Sequence, residues 1–254
     1  MSFWLNARTL YKKLFKYAYV GGVCRYIHFK RALSQITISE NAFILDAGCG
    51  NGEVAYALAR RFPRATIHAC DKNESYFWNR LILPNLSYEI LDLSTSNFES
   101  QRFDLIYSID VLEHIKDNRN VLKSLAQALR PCGTIIVLMP ALNDNKRIFG
   151  RRFYKQFNAW AAKEHIGERY TLYELTQILE ELGLRICYSR HTFGFFGQLA
   201  ADIEALLRTL FGPLAKALIP LLLLLCIADA ITKNQDGNGM CVVARKVLRS
   251  RDGQ

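Results

Sequence analysis

Apolar residues along the chain fall into short continuous runs and into longer segments with helical spacing. Seven short runs, bounded mainly by Gly, Pro, Asp or Asn, predict strands at residues 42–47, 65–70, 86–91, 103–109, 134–139, 184–192 and 240–247. Between them, apolar residues recur three and four positions apart, which predicts helices within 53–62, 121–129 and 171–182. Strands that alternate with helices predict an α/β fold built on a doubly wound, mainly parallel sheet.

Two segments lie outside this alternation. Residues 1–39 combine aromatic residues with seven Lys or Arg and hold no acid, which predicts a basic, aromatic helical cap before a main domain at 40–254. Between the sixth and the last strand, an insert at 197–235 contains an amphipathic helix near 203–211 and twelve uncharged residues at 217–228. Because a membrane span needs about 20 apolar residues, this run is too short to cross a bilayer.

The charge and cysteine content narrow the possible partners. The formal net charge is +10, and a second basic cluster follows the fifth strand: Lys146, Arg147, Arg151, Arg152 and Lys155. Basic surfaces attract nucleic acid or acidic lipid, and a solvated basic face is the alternative. The seven cysteines are odd in number and include no C-x-x-C pair, which indicates reduced thiols in a cytosolic protein rather than a disulfide framework or a zinc site.

The most specific motif is the glycine-rich turn after the first predicted strand, D-A-G-C-G-N-G at positions 46–52. A strand that runs through such a turn into a helix lets a ligand approach bare backbone at a helix N-terminus. The turn is not a dinucleotide fingerprint, because Gly52 comes one position early and residue 53 is Glu. The chain also lacks the G-x-x-x-x-G-K-[ST] pattern of a P-loop.

An acid followed by glycines at every second position resembles the first motif of class I S-adenosylmethionine-dependent methyltransferases. Further blocks resemble the same family in order along the chain: Asp71 at the end of the second strand, residues 91–93, residues 103–117, residues 129–140 and residues 169–184. The resemblance covers roughly residues 40–195 plus the last strand. It implies a Rossmann-like fold of seven strands, of which the last is antiparallel, and S-adenosyl-L-methionine as the cofactor.

The resemblance implies a cofactor-binding role for twelve residues: Asp46, Gly48, Cys49, Gly50, Gly52, Asp71, Lys72, Asp92, Leu93, Ser108, Ile109 and Asp110. Asp46 is expected near the methionine amino group, Asp71 at both ribose hydroxyls and Asp92 at the adenine amino group. The glycines would leave room for the methionine moiety, and residues 108–110 would line the floor near the sulfonium. For the acids after the second, third and fourth strands, a helix N-cap is the alternative role.

Methyl transfer to a hydroxyl also needs a general base, and histidine is the usual choice near neutral pH. His165, in a loop where this family commonly builds its acceptor pocket, is the first candidate, and His114 after the fourth strand is the second. Either one could instead only form hydrogen bonds in the pocket. No residues show metal-ligand spacing, so no metal is expected. The [DN]-P-P-[YF] tetrapeptide of amino-methylating enzymes is absent after the fourth strand, which favours oxygen or carbon as the acceptor atom.

The insert and the basic N-terminal segment indicate the kind of acceptor. In the family the insert would leave and re-enter the sheet at the edge that holds the cofactor. We therefore expect a hydrophobic or lipid-linked small-molecule acceptor, taken from an anionic membrane surface by a protein that is cytoplasmic or peripheral on the inner face of a membrane. Three alternatives stay open: a lid or dimer interface over a pocket for a soluble acceptor, an RNA methyltransferase, and an inactive cofactor-binding scaffold. Nucleic acid is disfavoured because no RNA-binding module is recognisable, and the oligomeric state is not predicted.

Overall fold

The computed structural model describes residues 20–77, 81–96, 98–142, 148, 163–211 and 219–247. Seven strands form one sheet: β1 Phe43–Ala47, β2 Thr66–Asp71, β3 Leu86–Ile90, β4 Phe103–Ile109, β5 Leu129–Pro140, β6 Leu184–Thr192 and β7 Gly239–Lys246. Their order is β3-β2-β1-β4-β5-β7-β6. Strands β1 to β5 pair in parallel, whereas β7 runs antiparallel to both β5 and β6. The predicted doubly wound sheet of seven strands, mostly parallel with an antiparallel last strand, is confirmed.

The described ranges contain six α-helices: α1 Val20–Leu33, α2 Glu53–Arg61, α3 Asn118–Ala128, α4 Leu172–Glu181, α5 Phe195–Phe211 and α6 Ile219–Ile231. The start of α4 is set by a capping box, in which the Thr171 hydroxyl accepts from the Glu174 backbone N–H and the Glu174 carboxylate accepts from that of Thr171. Asp117 caps α3 by accepting from the Asn120 backbone N–H. The starts of α3 and α4 therefore follow from local sequence.

Strand β5 begins earlier than its sequence predicts. The motif Arg-Pro-Cys-Gly at 130–133 predicts a break before a strand that starts at residue 134, yet β5 already pairs with β4 at Leu129. The register then shifts between Phe103 and Leu105 of β4, and Cys132 takes a φ of 64° within this irregularity. Pairing with β4 skips residues 130–133, and a Cβ on Gly133 would lie 2.9 Å from the Arg130 carbonyl oxygen, so the chain turns tightly at the predicted break although both sides belong to β5.

Helices cover both faces of the sheet, and the insert helices α5 and α6 pack against α1 in a separate cluster. One core cluster lies under α3 and α4, and a second lies under α1 and α2, where the rings of Phe29 and Tyr107 are 4.9 Å apart. A third cluster joins α1 to α5 and α6: Val20, Val23, Cys24, Ala200, Leu222 and Cys226. Helix α1 thus packs on the sheet and on the insert at the same time.

The insert helices α5 and α6 lie between the end of β6 and the start of β7. Because β7 is antiparallel to both β5 and β6, the end of β6 lies at the same edge of the sheet as the ends of the parallel strands. No helix within the described ranges is long and apolar enough to cross a membrane. Residues 1–19 and the five cations of the predicted cluster between 146 and 155 lie outside the described residues.

Candidate active site

The glycine-rich turn between β1 and α2 leaves its backbone open at one point. Gly48, Gly50 and Gly52 all have positive φ, of 85°, 52° and 75°. A Cβ on Gly48 would lie 2.3 Å from the Val111 side chain, and one on Gly52 would lie 2.4 Å from the Tyr88 ring. A Cβ on Gly50 would meet no atom of the described residues within 4 Å. Packing therefore requires glycine at both ends of the turn, while the middle faces space that a ligand can enter.

Asp71, the last residue of β2, is hydrogen-bonded to the backbone of this turn. One carboxylate oxygen accepts from the Gly50 backbone N–H at 2.9 Å, and the other accepts from the Asn73 N–H at 3.0 Å. The next residue, Lys72, is exposed. Within the turn, burial raises the pKa of the Cys49 thiol, so that thiol stays neutral. The predicted ribose acid and the glycine turn are thus brought together at one edge of the sheet.

Asp46 differs from Asp71 because its carboxylate points into the protein and is only 3% exposed. It accepts from the Tyr107 hydroxyl at 2.8 Å. Burial raises the pKa of Asp46 to about 7, an effect that the Tyr107 bond and the Ala55 backbone N–H oppose and that the Asp71 charge increases. In this arrangement Asp46 holds the start of α2, and its expected contact with the methionine amino group stays a prediction.

Asp92 follows β3 and forms its own local turn. One carboxylate oxygen accepts from the Ser94 hydroxyl at 2.7 Å and from the Ser94 backbone N–H at 2.9 Å. These bonds lower the pKa of Asp92, so the side chain is ionised at neutral pH. Asp92 is exposed and the neighbouring Leu93 is buried. The surface therefore presents a charged hydrogen-bond acceptor next to a buried apolar side chain.

The end of β4 forms the floor of the site and meets helix α1. Ser108 is 1% exposed, and its hydroxyl has no hydrogen-bond partner within the described residues. Ile109 is half-buried, and Asp110 takes a φ of 53° and forms an ion pair with Arg25 of α1. The Arg25 guanidinium also lies over the Phe193 ring, 5.1 Å from its centroid. Sequence patterns counted Arg25 only as one cation of the N-terminal segment and missed this contact.

The two histidines proposed as bases lie side by side. The ring centroids of His114 and His165 are 5.0 Å apart at an angle of 72°. His114 Nδ1 lies 3.0 Å from the Glu164 carbonyl oxygen, and because a carbonyl only accepts, Nδ1 carries the proton and Nε2 is the basic nitrogen of neutral His114. The buried Glu113 carboxylate lies within 4.8 Å of the donor atoms of both histidines, so these three side chains could also hold a cation. The sequence had indicated no such group.

Gly167 explains why His165 reaches His114. Its backbone N–H donates to the Glu113 carbonyl at 2.9 Å, and a Cβ there would lie 2.5 Å from the carbonyl oxygens of Leu112 and Ile115. The Asn118 amide also joins the two segments, because it donates to the Leu112 carbonyl and to the Glu168 carbonyl of the loop that carries Gly167. Only glycine permits so close an approach, so this position fixes the histidine pair.

Comparison with known proteins adds an independent line of evidence. The family described as "Methyltransferase domain" matches residues 20–189, more than half of the chain. The trans-aconitate 2-methyltransferase of Deinococcus radiodurans is 35% identical over 131 residues, which cover 48% of this chain and 50% of that protein. The ubiquinone biosynthesis O-methyltransferase of Coxiella burnetii is 28% identical over 174 residues, which cover 63% of this chain and 70% of that protein. The chain spans about half the length of the trans-aconitate methyltransferases that it matches.

Solved structures agree in fold. An S-adenosylmethionine-dependent methyltransferase from Mesorhizobium loti superposes with a TM-score of 0.60 at 17% identity, covering 87% of this chain and 98% of that one. Phosphoethanolamine N-methyltransferase 2 of Haemonchus contortus, solved with S-adenosyl-L-methionine, gives a TM-score of 0.58 at 18% identity, covering 86% of this chain and 53% of that one. At such identities the likeness concerns the fold.

Proposed function

This chain belongs to the class I S-adenosylmethionine-dependent methyltransferases, and we propose that it methylates an oxygen atom of an apolar or lipid-linked acceptor at an anionic membrane surface. S-adenosyl-L-methionine is the methyl donor. The relative named as an O-methyltransferase of ubiquinone biosynthesis supports oxygen as the acceptor atom. The relatives named as trans-aconitate methyltransferases support the alternative of a soluble acceptor. The exposed apolar face of α6 is the observation that carries our choice between the two.

The geometry of the glycine turn supports the proposed cofactor contacts. A carboxylate offers about four lone-pair sites, and the two backbone bonds of Asp71 leave others for the ribose hydroxyls. The open space at Gly50 admits the methionine moiety, and the buried Ser108 hydroxyl offers a polar contact on the floor. Asp92, ionised and exposed, can accept from the adenine amino group. We therefore keep these four residues as the main contacts to the cofactor.

The histidine pair supports acid–base assistance of the transfer. Displacement at a sulfonium gains most of its rate from holding donor and acceptor in line. A positioned general base adds roughly 10²–10⁴-fold when the acceptor is a hydroxyl. His165 stays our first candidate and His114 Nε2 the second, because the two imidazoles lie side by side with ring centroids 5.0 Å apart.

Helix α6 is apolar on two opposite faces. One face packs inward and includes Leu222, which is 6% exposed. The other face is exposed and uniformly apolar: Leu221, Leu224, Ile227 and Ile231. Leu224 is 73% exposed, and fully burying a Leu or Ile contributes roughly 1.5–3 kcal/mol. An apolar face of this kind supports docking at the acyl boundary of a membrane.

The charge of the chain supports an anionic surface as the partner of this face. Helix α1, which packs on α6, carries Lys30 and Arg31 in its last turn and no acid in its first. The whole chain has a formal net charge of +10. Each Lys or Arg near an anionic leaflet contributes about 1 kcal/mol, and salt screens that attraction without screening the apolar contribution.

A vesicle sedimentation experiment on the full chain tests this proposal. The wild type should bind vesicles of phosphatidylglycerol and phosphatidylcholine, and high salt should weaken that binding without abolishing it. Leu224→Glu with Ile231→Glu should weaken it at least about tenfold, because both charges would have to enter the apolar layer. Tyr173→Glu, on the exposed surface of α4, is the matched control and should bind as the wild type does.

Two results would contradict the membrane proposal. One is wild-type protein that ignores anionic vesicles even at low salt. The other is a wild-type dimer, seen by analytical ultracentrifugation, that the α6 double substitution converts to monomer while vesicle binding is unchanged. The first result would favour a lid over a soluble acceptor, and the second would favour a subunit interface.

A further inference from the structure

Helices α1 and α6 face each other with two short pairs of metal-binding side chains. Cys24 and His28 are four residues apart on α1, and Cys226 and Asp229 are three residues apart on α6. Residues three or four apart lie on the same side of a helix. All four side chains belong to the interface between the two helices, and their exposures are 0%, except for 1% at His28. We propose that they form a structural zinc site that fastens the insert to α1.

The donor atoms are close enough to share one ion. His28 Nε2 lies 2.8 Å from Asp229 Oδ2, and Cys24 Sγ lies 3.9 Å from the same oxygen. The donor atoms of Cys24, His28 and Asp229 all lie within 4.8 Å of one another, and Cys226 packs with Cys24 in the same buried cluster. In a tetrahedral zinc site neighbouring donors are about 3.3–3.8 Å apart, given Zn–S near 2.3 Å and Zn–N or Zn–O near 2.0–2.1 Å. Small rotations of Cys24, His28 and Asp229 would therefore meet zinc geometry, and we propose Cys226 as the fourth ligand.

The surroundings of Asp229 resemble those of an oriented ligand. Its Oδ1 accepts from the Gly197 backbone N–H at 3.1 Å and from the Asn234 amide at 3.2 Å. Its Oδ2 accepts from the Phe193 N–H at 2.9 Å and faces Cys24 and His28. Such bonds hold a carboxylate in one orientation, as partners outside the coordination shell do in metal sites. Four protein ligands also fit, because structural zinc sites leave no coordination position open.

Charge and ligand type select zinc. Two thiolates and one carboxylate carry three negative charges, of which Zn²⁺ neutralises two. The positive charges of Arg25, Arg31 and Arg190 act on Cys24 or His28 and oppose the remaining negative charge. Arg190 also donates a hydrogen bond to the Asp229 carbonyl at 3.2 Å. Two soft sulfur ligands with an imidazole and a carboxylate suit Zn²⁺ rather than Mg²⁺ or Ca²⁺. Binding would release the two thiol protons to solvent.

A zinc site here would couple the cap to the active site. Arg25, which forms the ion pair with Asp110, is adjacent to Cys24 on α1. The insert and α1 are about two hundred residues apart in sequence, so a shared ion would hold together two segments that only tertiary contacts otherwise join. The site is independent of which acceptor is methylated.

Metal analysis of the full chain tests the proposal. Protein produced with added zinc and then dialysed should hold about one equivalent per chain by mass spectrometry of metals, and Cys24→Ser and Asp229→Asn should lose it. Cys187→Ser, at an exposed cysteine of β6, is the matched control and should keep its zinc. Chelation should lower the midpoint of thermal unfolding, and zinc should restore it.

Cobalt replaces zinc in a second experiment that needs no variant. Co²⁺ added to chelated wild type should give a sulfur-to-cobalt charge-transfer band, which reports thiolate ligation. The proposal is overturned if this band is absent, if zinc is lost in His165→Ala but kept in Cys24→Ser, or if chelation and zinc leave thermal unfolding unchanged. It is also overturned if Cys24 and Cys226 form a disulfide, seen as a mass lower by two hydrogens.

Discussion

Asp46 offers a sharp test of how the glycine turn is held, because its carboxylate lies where a charge is costly. Burial raises its pKa to about 7, whereas an ordinary aspartate titrates at 3.8. Between these values the unfolded chain loses its proton while the native protein keeps it. The stability that Asp46 contributes is therefore fully present below the unfolded pKa and is lost as pH rises through the folded pKa.

The size of this effect follows from the two pKa values. One unit corresponds to about 1.4 kcal/mol. With pKa values of 3.8 and about 7, the wild type should lose about 2 kcal/mol between pH 5.5 and pH 8 through this group. Asp46→Asn keeps an oxygen acceptor for Tyr107 but cannot titrate, so its free energy of unfolding should lack this decline.

Urea unfolding of the cofactor-free protein at both pH values, followed by circular dichroism, measures the difference between the two proteins. Tyr107→Phe is an informative companion, since removal of the hydroxyl that lowers the Asp46 pKa should steepen the decline. Parallel pH dependence in the wild type and in Asp46→Asn would refute the reasoning from a buried charge.

Further predictions concern the cofactor and the chemistry. Asp71→Ala should weaken S-adenosylmethionine binding about 30- to 1000-fold by calorimetry, because two charge-assisted hydrogen bonds contribute about 2–4 kcal/mol; Asp117→Ala, at the start of α3, is the control, and unchanged affinity in Asp71→Ala would contradict the contact. His165→Ala should lower turnover by roughly 10²–10⁴ and leave cofactor affinity intact; a turnover within about threefold of wild type would move the base to His114. If the histidine pair acts instead through a bound cation, a transition-metal ion such as Fe²⁺ should raise the turnover of the wild type but not that of Glu113→Gln, because two imidazoles and one carboxylate suit such an ion.

Local sequence was sufficient wherever a feature depends on neighbouring residues. The glycine turn, the acid at the end of β2 and the Thr171 cap are all set within a few positions, and each lies where the pattern predicts. The early start of β5 was missed because Pro131 and Gly133 mark a turn, and only the long-range pairing of Leu129 with Phe103 of β4 extends the strand to the other side of that turn.

Features that depend on distant residues could not be predicted in the same way. The inward orientation of Asp46 depends on Tyr107, which comes from another strand. The meeting of His114 with His165 depends on close packing at Gly167, which no periodicity reveals. The odd number of cysteines and the absence of a C-x-x-C pair argued against a zinc site. Spacing along the sequence cannot reveal a cluster whose residues lie on two helices at opposite ends of the chain.

The central claim is transfer of a methyl group from S-adenosylmethionine to an apolar acceptor at a membrane. Its most direct test supplies the full chain with methyl-labelled S-adenosylmethionine and anionic vesicles made from extracted membrane lipids, then separates the products between organic and aqueous phases. We predict label in the organic phase that depends on Asp71 and falls in the Leu224→Glu, Ile231→Glu variant. Label that appears only in the aqueous phase, or that the α6 substitutions leave unchanged, would contradict the account.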